Sequence, residues 1–204
     1  MTMSPVSEKN QRALDERSLN VLFHKARSAN AFLPEPVPDG VLERLIGLTT
    51  LAPTSMNNQP LRVVFVTSAE ARARLKPALF AGNVAKMESA PVTAILARDL
   101  EFHRQFPRVF PHAPQAYFDA AKENAEAVSL QNATMESGYF ILAARALGLD
   151  AGPMGGFDNA AVDAEFFPDG KFKSILLVTL GYGDDSKLFP RNPRLDFSEV
   201  AAII

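Results

Sequence analysis

The sequence of 204 residues contains no cysteine, no tryptophan and only three histidines. Without thiols the chain cannot form disulfides, bind an iron–sulfur cluster through cysteine or use a cysteine nucleophile. His24, His103 and His112 lie far apart and no acidic pair shares their spacing, so we predict no metal site. The Gly-Tyr-Gly run at 181–183 lacks the next glycine of a dinucleotide fingerprint, and two aspartates follow it, which argues against a Rossmann site.

Long hydrophobic runs and a strong net charge are also absent. No apolar run approaches the roughly 20 residues needed to cross a bilayer, and residues 1–11 lack the apolar segment of a signal peptide. The formal net charge of −2 gives no reason to expect nucleic acid or an anionic membrane as a partner. We therefore expect a cytoplasmic protein whose partner is a small molecule.

The composition is typical of a folded globular protein. Apolar residues make up 47% and charged residues 22%, and a chain of this length can bury a large core. We predict a single domain over 1–204, in which residues 1–12 form a flexible tail. The segment from about 186 to 204 is predicted to be a C-terminal extension that docks its apolar residues on the body or on a partner subunit.

Hydrophobic periodicity predicts helices that alternate with strands. The predicted helices are 14–25, 41–51, 69–79, 115–147 and 160–166, and the predicted strands are 61–67, 91–97 and 174–181. Asp39, Ser68 and Asp158 are predicted N-caps, and Gly148 is predicted to end the helical segment before it. Because the strands are few and unevenly spaced, we favour an α+β fold over α/β, with a small mixed sheet wrapped by helices.

The 115–147 segment has no proline and a single glycine, so it is either one long helix or two helices in line. Its later half is apolar almost all round, which predicts burial. A helix this long and apolar in a small domain often packs against a partner subunit.

Residues 52–60 read Ala-Pro-Thr-Ser-Met-Asn-Asn-Gln-Pro and join a predicted helix to a predicted strand. Short hydroxyl and amide side chains form turns by bonding to nearby backbone groups. The same side chains are neutral donors and acceptors that suit a polar ligand. From this stretch alone, a structural turn and a binding loop are equally well supported.

Four other polar stretches are scattered along the chain. They are, in order, Arg27-Ser28, Asn83 with Lys86, Gly155-Gly156, and Arg191 with Arg194. Each alone is more simply structural, but together they supply what flavin mononucleotide (FMN) requires. Cations and a hydroxyl suit its phosphate, amides suit its ribityl chain, and an ammonium can stabilise negative charge on the reduced ring.

The order and spacing of these motifs closely resemble the nitroreductase family of flavoproteins, from residue 27 to residue 194. The resemblance implies an intertwined homodimer with two shared active sites, in which the loop at 53–60 reaches across the interface to the flavin. The residues that it implicates in FMN binding are Arg27, Ser28, Asn30, Pro53, Thr54, Ser55, Asn57, Asn83, Lys86, Pro153, Met154, Gly155, Gly156, Arg191 and Arg194.

The activity implied by the resemblance is FMN-dependent oxidoreduction with NADPH or NADH as electron donor. Hydride passes by ping-pong chemistry through flavin N5, and no protein residue is expected to be an essential acid or base. The motifs look most like the malonic semialdehyde reductase branch, which reduces 3-oxopropanoate to 3-hydroxypropanoate in pyrimidine degradation. The alternatives are a general nitroreductase or quinone reductase of the same family and a flavin-binding protein without turnover.

The chain departs from the family pattern at four positions. Ala26 and Asn30 stand where many members carry basic residues, so the phosphate site depends more on the C-terminal arginines. Gly155 replaces a glutamate that is common in relatives, which removes a negative charge near the ring. Leu61 replaces the usual aromatic residue after the Gln-Pro pair.

Overall fold

A four-stranded sheet forms the centre of the computed structural model, which describes residues 13–204. The predicted flexible tail at 1–12 lies outside the described residues. The strands are β1 (Leu61–Val66), β2 (Val92–Asp99), β3 (Asp150–Met154) and β4 (Phe172–Gly181). Their spatial order is β1-β2-β4-β3, and all three pairings are antiparallel.

Helices cover both faces of this sheet. They are α1 (Glu16–Leu19), α2 (Asp39–Thr49), α3 (Ala69–Leu75), α4 (Ala81–Ser89), α5 (Phe106–Val109), α6 (Gln115–Glu123), α7 (Ala125–Ala146), α8 (Asn159–Phe166) and α9 (Phe197–Val200). A π-helical turn, Asn20–His24, continues α1, and short 3-10 turns occur at Ser55–Asn57 and elsewhere. The predicted α+β class is confirmed. No helix of the described part is both long and apolar enough to cross a membrane.

The central strand β2 is buried on both faces because its side chains alternate between two cores. Ala94 and Leu96 join a cluster with Phe140 of α7 and residues of α2. Ile95 and Ala97 join a second cluster with residues of α3, α4 and α8. This two-sided burial explains why the 91–97 segment is apolar at every position except Thr93 instead of alternating between apolar and polar residues.

Local capping signals account for several element boundaries. The Ser68 Oγ accepts a hydrogen bond from the Ala71 amide at 3.0 Å, and the Asp158 Oδ1 accepts one from the Ala161 amide at 3.1 Å. Gly148 has φ +82° directly after α7, a conformation that glycine adopts without strain. These three predicted helix signals are confirmed.

Other sequence expectations need correction. The sheet is antiparallel rather than mixed; parallel pairing within residues 13–204 is limited to one isolated bridge, Ser28 to Ala151. The residue that caps α2 is Pro38, so Asp39 is the first helical residue instead of the cap. The sequence predicted neither α4 nor β3. The strand β3 was missed because it contains a glycine and a proline, and Pro153 is tolerated because β3 is an edge strand.

The 115–147 segment forms two helices, α6 and α7, which meet at Asn124. Contrary to the prediction for its later half, α7 is buried on one side only. Gly138, Tyr139 and Ala146 are exposed in the single chain, Tyr139 by 41%. The helix therefore presents an apolar surface that the other residues of 13–204 do not cover.

Candidate active site

The Arg27-Ser28 segment lies along the outer edge of β3. Ser28 forms the parallel bridge with Ala151, and the Ala29 amide donates to the Ala151 carbonyl at 3.0 Å. A few residues later, the Leu33 amide donates to the Tyr182 carbonyl at 2.8 Å. These backbone contacts fix the N-terminal motif next to the glycine-rich strand.

Four guanidinium groups converge on a cavity of about 400 Å³ beside this segment, which we call the arginine cavity. Its polar lining consists of Arg27, Ser28, Asn30, Arg145, Arg191, Asn192 and Arg194, and its apolar lining of Phe23, Ala26, Phe189 and Pro190. No aspartate or glutamate of the described chain lines it. A cavity with this charge suits a multiply charged anion such as a phosphate.

Hydrogen bonds of Arg191 and Arg27 join the C-terminal segment to the N-terminal motif. Arg191 Nη2 donates to the carbonyls of His24, at 2.9 Å, and Ala26, at 2.8 Å. Arg27 Nη2 in turn donates to the carbonyl of Phe189. The two predicted phosphate motifs, about 165 residues apart in sequence, thus form one wall.

Lys86 approaches the same strand from α4. A Cβ added at Gly152 would lie 2.7 Å from the Ala29 carbonyl oxygen and 3.2 Å from Lys86 Cδ, and it would also meet Thr179. Only glycine leaves room for this contact. Burial lowers the pKa of Lys86, and its ammonium forms no salt bridge with a carboxylate of residues 13–204.

Asn83 lies one turn before Lys86 on α4, so both side chains share a helix face. The Asn83 Nδ2 donates to the Gly156 carbonyl at 2.9 Å, and a Cβ at Gly156 would lie 2.8 Å from that nitrogen. At Gly155, by contrast, a Cβ would meet no atom within 4 Å. The predicted glycine loop is therefore held by Asn83, while Gly155 borders open space.

Pro153 and Met154 complete this predicted group as the last two residues of β3. Met154 is buried in the second core cluster. In the structure, the side chain of Met154 is thus part of the protein core, and its predicted contact with a ligand can come only from its backbone.

The 53–60 loop has an unusual backbone conformation. Met56, Asn57 and Gln59 have φ of 53°, 52° and 41°, in the left-handed region. The Ser55 amide donates to Asn132 Oδ1 at 2.7 Å, and Asn57 Nδ2 donates to a backbone carbonyl at 2.8 Å. Strained residues held by such contacts are common at functional sites, which favours the binding-loop interpretation over a simple turn.

This loop lies far from the arginine cavity within one chain. The loop leads into Leu61, which pairs with Arg98 at one end of β2. At the other end of β2, Val92 pairs with the same residue of β4 as Ala151 of β3 does, so Val92 and Ala151 lie at the same level of the sheet. Six residues of β2 separate these levels, roughly 20 Å at about 3.4 Å per residue. The structure brings the other predicted residues together but leaves Pro53, Thr54, Ser55 and Asn57 at the opposite end of the sheet.

A buried carboxyl group beside the loop was not anticipated. Glu136 of α7 is 2% exposed, and its Oε2 accepts a hydrogen bond from the Leu61 amide at 2.9 Å. Burial raises the pKa of Glu136 to about 7, against smaller opposing effects of that hydrogen bond and of Arg62. Because this pKa lies above the ordinary value of 4.5, the folded protein binds the proton more tightly than the unfolded chain, and stability falls as pH rises from about 4.5 to about 7.

Replacement of Glu136 with glutamine is therefore expected to stabilise the protein at pH 8 by about 1–3 kcal/mol and to have little effect at pH 5. The amide can still accept the Leu61 hydrogen bond but carries no charge to desolvate. Urea unfolding of both proteins at the two pH values checks this. Glu123→Gln on the exposed side of α6 is the matched control. An equal effect of Glu136→Gln at pH 5 and pH 8 would contradict the assignment.

Arg145 and Glu136 are the two residues of the site region that sequence reasoning missed. Both lie in α7, which the sequence predicts to be an apolar structural helix. The available signal was a charge within an otherwise apolar segment, because buried charges are costly and rarely incidental.

Within residues 13–204 no group of three or more His, Asp or Glu side chains could hold a metal ion.

Comparison with known proteins gives consistent results. The model of the nitroreductase family matches residues 24–182. A protein of Stenotrophomonas maltophilia, provisionally named NADH dehydrogenase/NAD(P)H nitroreductase, is 53% identical over 192 residues, which cover 94% of this chain and 98% of that one. A protein of Burkholderia lata with the same provisional name is 52% identical over 191 residues, covering 93% and 98%.

A solved structure from Exiguobacterium sibiricum, provisionally named a nitroreductase and described as a complex with FMN, has the same fold. Its TM-score is 0.79 at 20% identity, and the match covers 94% of this chain and 98% of that one. The family model spans most of the sequence, and two relatives share about half of their residues with it along nearly their full length. The chain belongs to the nitroreductase family.

Proposed function

We propose that this protein is an FMN-dependent NAD(P)H oxidoreductase. The observation that carries the proposal is the convergence of the arginine cavity, Lys86 and the Gly155-Gly156 backbone around β3. These groups come from five separate parts of the sequence, and no core or turn requires them to meet. The FMN named for the Exiguobacterium structure and the NAD(P)H named for the two relatives support the same conclusion.

The residues present fit this cofactor. Arg27, Ser28, Arg191 and Arg194 would hold the phosphate in the arginine cavity, with Asn30 at its edge. Asn83 and Lys86 would hold the ribityl chain and the polar edge of the ring, and the backbone of 153–156 would face the ring beside them. A Cβ at Gly155 would meet no atom within 4 Å, so the space beside this residue is open to a flat ring.

Bound FMN supplies the ability to accept a hydride from a nicotinamide and deliver it to a second substrate. The chain's own residues bind and orient. The guanidinium groups would neutralise the phosphate, and Asn83 fixes the glycine loop through the Gly156 carbonyl. Lys86 would provide a positive charge that forms no salt bridge with a carboxylate of residues 13–204. No acid or base within the described residues needs to act for this role.

We further propose that the active form is a homodimer of single-domain subunits. The 53–60 loop lies roughly 20 Å along the sheet from the arginine cavity of its own chain, which favours a role for it in the site of a second copy. The uncovered apolar surface of α7 and the exposed residues of the 186–204 extension, such as Ile203 at 90%, need a partner to cover them. A dimer of this kind leaves each active site incomplete in one chain.

For the physiological substrate we propose 3-oxopropanoate, reduced to 3-hydroxypropanoate in pyrimidine degradation. A small carboxylate substrate needs a cation at the binding loop. Arg108 lines a cavity of about 340 Å³ together with Asn58 and Gln59 of that loop, and this supports the choice. The second candidate is a nitroaromatic compound or a quinone, which the nitroreductase names of the relatives favour.

Two measurements test the proposal. The purified protein is expected to be yellow, and anaerobic addition of NADPH or NADH is expected to bleach its visible flavin bands. Protein that stays colourless after incubation with FMN contradicts the cofactor assignment, and flavin that does not bleach indicates a binding protein. The ratio of kcat/KM for 3-oxopropanoate to that for a nitroaromatic compound then decides between the two substrate classes.

A further inference from the structure

Arg145 lies in the last turn of α7 with its guanidinium held in place. Its Nη1 donates to the Leu22 carbonyl at 3.0 Å, which fixes the group against the π-helical turn after α1. Its Nε is buried and bonds to no residue between 13 and 204. Arg145 has lost hydration without gaining a salt bridge to any carboxylate in that range.

The other arginines of the arginine cavity donate hydrogen bonds to backbone carbonyls. Arg27 bonds to Phe189, Arg191 bonds to two carbonyls, and Arg194 Nη1 bonds to the carbonyls of Asn192 and Pro193. Each of these contacts orders a chain segment, and a guanidinium has five donors, so further donors of each group remain for a ligand. The cavity thus gathers four fixed positive charges that repel one another.

Such a cluster is stable when an anion neutralises it. Burial, above all, lowers the pKa of Arg145; Asp150 acts against this effect and Arg191 adds to it. The N-terminal segment contributes only one cation to the cavity, because Ala26 and Asn30 are uncharged. Most of the positive charge of the arginine cavity therefore comes from arginines outside the N-terminal segment, and Arg145 is the one that α7 contributes.

We propose that Arg145 binds the phosphate of FMN in the arginine cavity and makes the site selective for FMN over unphosphorylated riboflavin. This inference rests on the proposed function. Arginine suits the role because its planar fork can bind two phosphate oxygens at once, and because the Leu22 contact fixes its orientation before the ligand arrives. Arg145 is a positioning and specificity residue that does not touch the reacting atoms.

The test compares dissociation constants of the full-length protein for FMN and for riboflavin, measured by flavin fluorescence. Arg145→Gln is the main variant, since its amide can still donate to the Leu22 carbonyl while the charge is removed. We expect FMN to bind about 10- to 100-fold more weakly and riboflavin to bind within about twofold of wild type. Arg145→Lys is expected to fall between the two, because it keeps the charge but loses the fork.

The matched control is Arg104→Ala, an arginine on the surface whose partner is Glu101; it is expected to change neither constant. Equal weakening of FMN and riboflavin by Arg145→Gln overturns the inference, because it indicates a purely structural role. An unchanged FMN constant overturns it as well. A wild-type protein that binds neither flavin overturns the proposed function and this inference together, whereas the first two results leave the proposed function intact.

Discussion

A heterodimer of two strongly impaired variants, Lys86→Ala in one subunit and Ser55→Arg in the other, is expected to show about half of wild-type activity. Ser55 is exposed in the single chain, so the fold can accommodate an arginine there, and in a dimer with shared sites this arginine would block the partner's cofactor site. If Lys86 of one chain and the 53–60 loop of the other build each site, one of the two sites in the heterodimer has both parts unaltered. Two different affinity tags allow this heterodimer to be isolated.

The two parent homodimers are the controls, since each carries the same defect in both sites. Size-exclusion chromatography of all three proteins shows whether the Ser55→Arg change preserves the dimer. Activity of the heterodimer no greater than that of the parents would mean that both parts act within one chain. That result would contradict the proposed shared site.

The second large effect is expected for Lys86→Ala alone. Lys86 is the one predicted ring-binding residue with a positive charge, and its ammonium forms no salt bridge within residues 13–204. Reduction adds negative charge to the cofactor, and a nearby cation stabilises that charge. Its removal is expected to lower the flavin midpoint potential by about 30–60 mV and turnover by about 10- to 100-fold.

Lys76→Ala is the matched control, because Lys76 pairs with Glu88 at 2.6 Å on the surface. It is expected to change neither potential nor turnover. Spectroelectrochemical titration gives the potential, and steady-state kinetics give the turnover. Lys86→Ala with an unaltered potential but slow turnover would mean that the lysine orients the substrate or the cofactor instead of tuning it.

Much of the site could be predicted from sequence because its parts are short motifs with distinctive chemistry. Gly152 and Gly156 are examples: glycines beside a proline predict a close backbone approach, and both positions lack room for a Cβ. Ser68 and Asp158 likewise act where their cap chemistry predicts. Such signals depend only on neighbouring residues, so they can be recognised without knowledge of the tertiary fold.

The features that sequence did not predict depend on tertiary contacts. β3 has no periodicity of its own and exists because Ala151 pairs with Leu180 on one side and Ser28 on the other. The antiparallel order of the sheet is likewise a property of strand pairing, which periodicity does not encode. Glu136 is buried and Arg145 half-buried by residues from other parts of the chain, and this burial shifts the pKa of each. In an isolated helix both side chains would be in water.

The hydrogen bonds from Arg191 to His24 and Ala26 bear on how the protein matures. The ribosome must synthesise residue 191 before these hydrogen bonds can form. The complete arginine cavity therefore does not exist on shorter nascent chains. Acquisition of a phosphorylated ligand is then a late event in biogenesis, after the sheet has formed. Premature termination between residues 182 and 190 leaves the four strands of the sheet but removes Arg191 and Arg194 from the arginine cavity.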